Sequence, residues 1–208
     1  MTISVTDIFS IGIGPSSSHT VGPMRAAKQF LDSLEKHPAK VYTELRGSLS
    51  ATGRGHASDR AVILGLAGWD PLSVPIDAEP HAGGFIPSEG TISGPRGTVD
   101  YEIAFDNEPL PQHPNGMIFS AWDESGNLIA EKEEYFSVGG GFILSRSELD
   151  AEVAESNEVP AGVAAAQVDD TVPYHFTTGE ELLNLCEAHD KAIWEIVLAN
   201  EETLHRDE

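Results

Sequence analysis

The segment Gly12–Ala27, GIGPSSSHTVGPMRAA, gathers three consecutive hydroxyls, an imidazole and a fourth hydroxyl at a glycine-rich entry into a helix. Gly12, Gly14 and Pro15 bend the backbone. The apolar spacing Met24, Ala27, Leu31, Leu34 predicts a helix with Pro23 in its first turn, where a missing N–H costs little. The unpaired amides of that turn then point at Ser16, Ser17, Ser18, His19 and Thr20, and such a terminus suits a carboxylate or a phosphate. One serine is enough to cap a helix; three serines and a histidine exceed that need and point to an anion site.

A second segment, Gly47–Leu66 (GSLSATGRGHASDRAVILGL), repeats the plan. Val41, Thr43 and Leu45 alternate as in a strand facing a core, and Gly53-Arg54-Gly55-His56 reads as a tight turn. A helix should follow with Ala61, Leu64 and Gly65 on its buried side. His56 has little packing from its small neighbours, which leaves two uses open: a proton-transfer group with a near-neutral pKa, or a solvated turn residue. Asp59 is placed either to orient that ring or to favour the helix N-terminus. His113 and Asn115, in the turn HPNG, are candidates for the rim of the same site or for turn-making alone.

These elements need a scaffold. Val99, Tyr101, Ile103 and Phe105 alternate with polar residues as a half-buried strand, and residues 117 to 122 and 128 to 136 flank a turn-rich spacer as a hairpin. Prolines and glycines crowd residues 68 to 97, which reads as a long connection. Thr178 and Glu181 form a capping box before Leu182, Leu183, Leu185 and Cys186, and a further helix follows Lys191. Helices after strands, with an antiparallel group beyond, argue for an α/β sandwich with a mixed sheet. The stretch 147 to 170 is acidic and rich in Ala and Val, and reads as a mobile insertion. A chain of 208 residues buries roughly 70% of its unfolded surface, enough for one core. With 34 acids against 12 bases, the formal charge of −22 argues against nucleic acid and anionic membranes as partners. No run of 18 apolar residues and no leader pattern is evident, so a cytoplasmic location is expected.

The two glycine-turn segments, together with LPQHPNGM at Leu110–Met117 and YFSVGGGFI at Tyr135–Ile143, resemble the iron-sulfur-dependent L-serine dehydratases, also called L-serine ammonia-lyases. Four long blocks in the right order span most of the first 145 residues. The resemblance implies an N-terminal beta domain, similar to the allosteric substrate-binding domain of some phosphoglycerate dehydrogenases. It places that domain over 1–185, with 186–208 a helical linker toward an alpha domain in the same or a second chain. It further implies a homodimer, L-serine as substrate, and a 4Fe–4S cluster acting as Lewis acid on the substrate hydroxyl. One thiol, Cys186, cannot hold such a cluster, and its leucine-rich surroundings suggest a buried apolar filler. The cluster ligands are therefore expected beyond this chain. In this scheme His56 is the leading candidate for the base, His19 the second proton-handling or orienting group. Ser16, Ser17, Ser18, Thr20, His113 and Asn115 bind substrate, and no metal ligand lies on this chain. The alternative is a non-catalytic module that senses serine or another anion through the same hydroxyl-rich mouth. Histidines 37, 81, 175, 189 and 205 form no metal-binding spacing.

Overall fold

The computed structural model describes residues 12–75, 77–78, 86–158 and 172–204. The chain divides into two units, Ser10–Ala151, and Met1–Phe9 with Glu152–Glu208.

The larger unit opens with a single wide helical turn, Ser17–Val21, that runs directly into helix α1, Gly22–Ser33. Strand β1 (Lys40–Arg46) leads to a short helix α2 (Ser48–Thr52) and then to α3 (Ser58–Leu66). Strands β2 (Glu89–Gly94), β3 (Gly97–Asp106), β4 (Gly116–Trp122), β5 (Leu128–Gly139) and β6 (Phe142–Ser145) follow, and helix α4 spans Arg146–Glu158. The sheet order is β2-β3-β1-β4-β5-β6. Only β1 and β3 run parallel, so the sheet is mixed and the molecule is an α/β sandwich as expected.

Alternation decides which face is covered. Along β1, Val41, Thr43 and Leu45 are fully buried while Tyr42 and Glu44 are only half-buried; along β3, Val99, Tyr101 and Ile103 are buried. These residues meet Ala26, Ala27 and Phe30 of α1 and Val62, Ile63 and Leu66 of α3 in one core. Phe30 stacks on Phe119 with ring centroids 4.9 Å apart, and Tyr135 meets Phe119 edge-on at 5.7 Å. Each such aromatic stabilises the fold by about 1.5–3 kcal/mol through burial alone. α1 and α3 touch so closely that a Cβ on Gly65 would lie 2.3 Å from the Met24 carbonyl oxygen, so only glycine fits there.

The smaller unit holds α5 (Gly179–His189) and α6 (Ile193–Leu204). The capping box is present: Thr178 accepts from the Glu181 amide, and the Glu181 carboxylate accepts from Thr178 N–H. Asn200 ties Tyr174 by two backbone bonds of 2.8 and 3.0 Å.

Several expectations are corrected. Helix α1 holds Pro23 in its first turn as expected, and the wide turn Ser17–Val21 that precedes it was not anticipated. Residues 48 to 52, between the expected strand and the expected glycine turn, form α2. The glycine- and proline-rich stretch contains strand β2, which carries no fully buried residue and owes its form to pairing with β3. Cys186 is half-buried, since no residue of α5 is fully buried. Within the acidic stretch 147–170, residues through Glu158 are helical, and 159–170 lie outside the described residues. Among the described residues no helix is long and apolar enough to cross a membrane.

Candidate active site

Two chain segments distant in sequence place their imidazoles side by side: the ring centroids of His19 and His56 are 5.0 Å apart. His19 sits in the wide turn. Its amide donates to Ser16 Oγ at 3.2 Å, and that cap starts the turn. Its ring lies between two hydroxyls, Nδ1 at 2.9 Å from Ser18 Oγ and Nε2 at 2.9 Å from Ser48 Oγ. His56 sits on the turn between α2 and α3, half-buried. Its Nδ1 is 3.2 Å from the Thr52 carbonyl oxygen. A carbonyl only accepts, so Nδ1 carries the proton and the neutral ring presents Nε2 as a lone-pair base.

Hydroxyls fasten the two segments. Thr20 Oγ1 accepts from the Ser16 amide and donates to the His56 carbonyl at 2.8 Å; Ser58 Oγ donates to the His19 carbonyl at 2.5 Å. Both side chains are buried, Thr20 at 1% and Ser58 at 0% exposure, so these bonds replace water rather than compete with it. A third fastening comes from β5, where Ser137 Oγ donates to the Ser18 carbonyl at 2.7 Å. Gly22 makes room for it, since a Cβ there would fall 2.1 Å from Ser137 Oγ. The HPNG turn is joined at two points: the Ser48 amide donates to the Pro114 carbonyl, and Asn115 Nδ2 donates to the Ser137 carbonyl.

The predicted residues are therefore sorted by their bonds. His19, His56, Ser16, Ser18 and Thr20 form one connected cluster. Ser17 is exposed, and its hydroxyl has no partner among the described residues. His113 packs edge-on against Phe136 and accepts the Asn115 amide at Nδ1, which fixes its neutral ring with the proton on Nε2. It reaches the cluster through its turn and not through its ring. Asp59 does not orient His56; it accepts from the Arg60 amide at the start of α3, and Thr52 holds the ring instead.

Burial, and then the positive charge His56 acquires on protonation, holds the His19 pKa below the usual imidazole value. Burial alone lowers His113. Burial raises Asp59, against the opposing pull of the Arg60 amide and the Arg54 charge. Beside His56 lies an open hollow of about 750 Å³ lined by Ser50, Ala51, Thr52, Arg54, Gly55, Phe105 and Asn107 as well.

Ser48, Ser58, Ser137 and Thr52 were not among the expected site residues. Ser48, Thr52 and Ser58 lie within the glycine-turn segment itself, and a hydroxyl count over that segment would have raised them. Ser137 lies in the block Tyr135–Ile143, where nothing in the local spacing marks it as a partner of the serine run.

A family model described as serine dehydratase beta chain matches residues 4–148. The chain belongs to that family. The L-serine dehydratase TdcG of Escherichia coli is 40% identical over 210 residues, covering 96% of this chain and 43% of the relative. The L-serine dehydratase of Streptomyces coelicolor is 42% identical over 216 residues, covering 97% and 44%. A second E. coli relative, L-serine dehydratase 1, is 38% identical over 217 residues. The chain spans less than half the length of these relatives. The matched residues take in the whole imidazole cluster, from Ser16 to Ser137.

Proposed function

We propose that this chain is the proton-accepting and substrate-gripping part of an L-serine dehydratase, which converts L-serine to pyruvate and ammonia. The observation that carries this reading is the pair of imidazoles at 5.0 Å, with the His56 ring held so that Nε2 is the free base. Loss of water from serine needs the α-hydrogen removed as a proton and the β-hydroxyl expelled. His56 Nε2 takes the α-proton. A base of this kind contributes roughly 100- to 10,000-fold. His19, held between Ser18 and Ser48, steadies His56 and receives polar groups of the substrate through those hydroxyls. The Ser17 hydroxyl and the amides at the head of the turn receive the substrate's hydroxyl. Thr20 and Ser16, whose hydroxyls are engaged, act by joining the two segments, and Asn115 by anchoring Ser137. The resulting 2-aminoacrylate tautomerises and hydrolyses to pyruvate and ammonia without further help.

The residues of this chain do not fit a 4Fe–4S cluster. There is one thiol, and no group of three His, Cys, Asp or Glu among the described residues is placed to hold a metal. The cluster implied by the resemblance, and the alpha domain that would carry it, belong in this proposal to polypeptide outside the chain.

The test combines the chain with the polypeptide that completes its longer relatives and measures pyruvate from L-serine. Release by the assembly and none by the chain alone is the expected result. Tight, micromolar binding of serine by the isolated chain, with no pyruvate from the assembly, would instead identify a sensing module.

A further inference from the structure

Arg54 stands in the hollow beside His56, and the roles assigned above leave it unused. Five basic residues elsewhere on the sheet and its helices are ion-paired, Lys28 with Asp32, Lys40 with Glu102, Arg46 with Asp106, Arg96 with Asp32 and Arg146 with Glu134, and Arg25 is engaged by the Gly141 carbonyl at 2.9 Å. Arg54 has neither kind of close partner. Among the described residues no carboxylate lies within 4.0 Å of its guanidinium, whose one polar neighbour is Ser88 Oγ at 3.5 Å, the far limit of hydrogen bonding. Its guanidinium carbon lies 4.9 Å above the centre of the Phe105 ring. Asp59 feels the Arg54 charge without an ion pair to it, and in a chain with 34 acids against 12 bases a guanidinium with no acid in contact among the described residues is a specific arrangement. The ring beneath supports the guanidinium, and an arginine so held is suited to two parallel bonds to a carboxylate.

We infer that Arg54 takes the α-carboxylate of the amino-acid substrate, with Phe105 as the platform that aims it; this rests on the reading above and names the part of the ligand that the hollow recognises. Arg54 and His56 are two residues apart, so their Cα atoms are separated by no more than about 7 Å. The α-carbon is bonded directly to the carboxylate carbon. Fixing that carboxylate on Arg54 therefore holds the α-carbon close to His56, which lines the same hollow. The surrounding negative field repels a carboxylate, so a local cation is needed to bring it in.

The experiment uses the assembled enzyme, with wild-type pyruvate release as the control for the function itself. Arg54→Gln is expected to raise KM for L-serine about 10- to 100-fold, more than it lowers kcat, and Arg54→Lys to recover part of the loss. Phe105→Leu should raise KM less. Inhibition by 3-hydroxypropionate should weaken in Arg54→Gln, while inhibition by ethanolamine, which has the amine and hydroxyl but no carboxylate, should hold its wild-type strength. An unchanged KM, or equal weakening of both inhibitors, overturns the assignment. If wild-type enzyme releases no pyruvate, the serine-dehydratase reading fails, and the carboxylate site is then decided by the Arg54 side-chain N–H resonance. A shift with 3-hydroxypropionate and none with its amide supports the site; the same response to both, or to neither, refutes it.

Discussion

At the serine run, both ring nitrogens of His19 meet hydroxyls, whereas at the glycine turn only Nδ1 of His56 has a partner among the described residues, the Thr52 carbonyl. The two segments share a plan of glycines, hydroxyls and a histidine before a helix. Their surroundings differ. The first is crossed by β5, with Ser137 against Gly22, and its backbone is held by Ser58 and Ser137. The second stands at the edge of an open hollow. A ring bonded at both nitrogens is a fixed positioning group; a ring bonded at one and open at the other can change its proton without breaking the structure. The pair thus divides orientation from proton transfer.

The largest expected effect tests that division directly. In the assembled enzyme His56→Ala should lower kcat about 100- to 10,000-fold with the fold intact, and His19→Ala should lower it less while raising KM. Equal losses in kcat from both, with KM unmoved, would break the contrast.

The contrast also predicts unequal tolerance of added bulk. A Cβ on Gly22 meets Ser137 Oγ at 2.1 Å and Ser137 Cβ at 2.9 Å, whereas one on Gly55 finds only the Thr52 carbonyl oxygen at 3.4 Å. Gly22→Ala should therefore destabilise the chain by about 1–3 kcal/mol, and Gly55→Ala should fall within about 0.5 kcal/mol of wild type in denaturant unfolding. Ser137→Ala comes next in size. It removes the donor to the Ser18 carbonyl, at about 0.5–1.5 kcal/mol, and relieves the closer of the two contacts a methyl group at position 22 would make, leaving the Cβ of residue 137 at 2.9 Å. The double variant should then cost less than the sum of the singles. Strict additivity would mean that β5 does not clamp the serine run.

Much of this arrangement could be seen in the chain before folding. The alternation at Val41, Thr43 and Leu45 and at Val99, Tyr101 and Ile103 marks two central strands because one face of each is buried. Thr178 and Glu181 mark a helix start because the capping bonds are local. What escaped is what depends on distant partners. Ser48 lies 29 residues from His19, Ser58 lies 39 from it and Ser137 lies 119 from Ser18, so their bonds have no short-range pattern. β2 escaped for a related reason: as an edge strand with no buried side, it lacks the apolar alternation that marks β1. The proximity of His19 to His56 was expected from two similar helix mouths, but the partner that orients each ring was not, since Asp59 turns to the Arg60 amide.

The smallest effect is a titration. Burial first, and His56 second, lower the pKa of His19 in the folded chain. The unfolded chain, with histidine near 6.5, then binds the proton first as pH falls. The stability contributed by a neutral His19 is present above about pH 6.5 and is lost as pH drops from there toward the folded value. His113 acts in the same sense through burial, and Asp59, raised by burial, acts in the opposite sense as pH rises through its folded value. The His19 part is isolated as the difference in melting temperature between wild type and His19→Asn from pH 7.5 to 5. In His56→Asn the like charge is gone while burial remains, so the His19 ring resonances followed by NMR should titrate at a higher pH than in wild type, still below 6.5. If they titrate unchanged, the two rings do not sense each other's charge, and the division of labour between them loses its electrostatic basis.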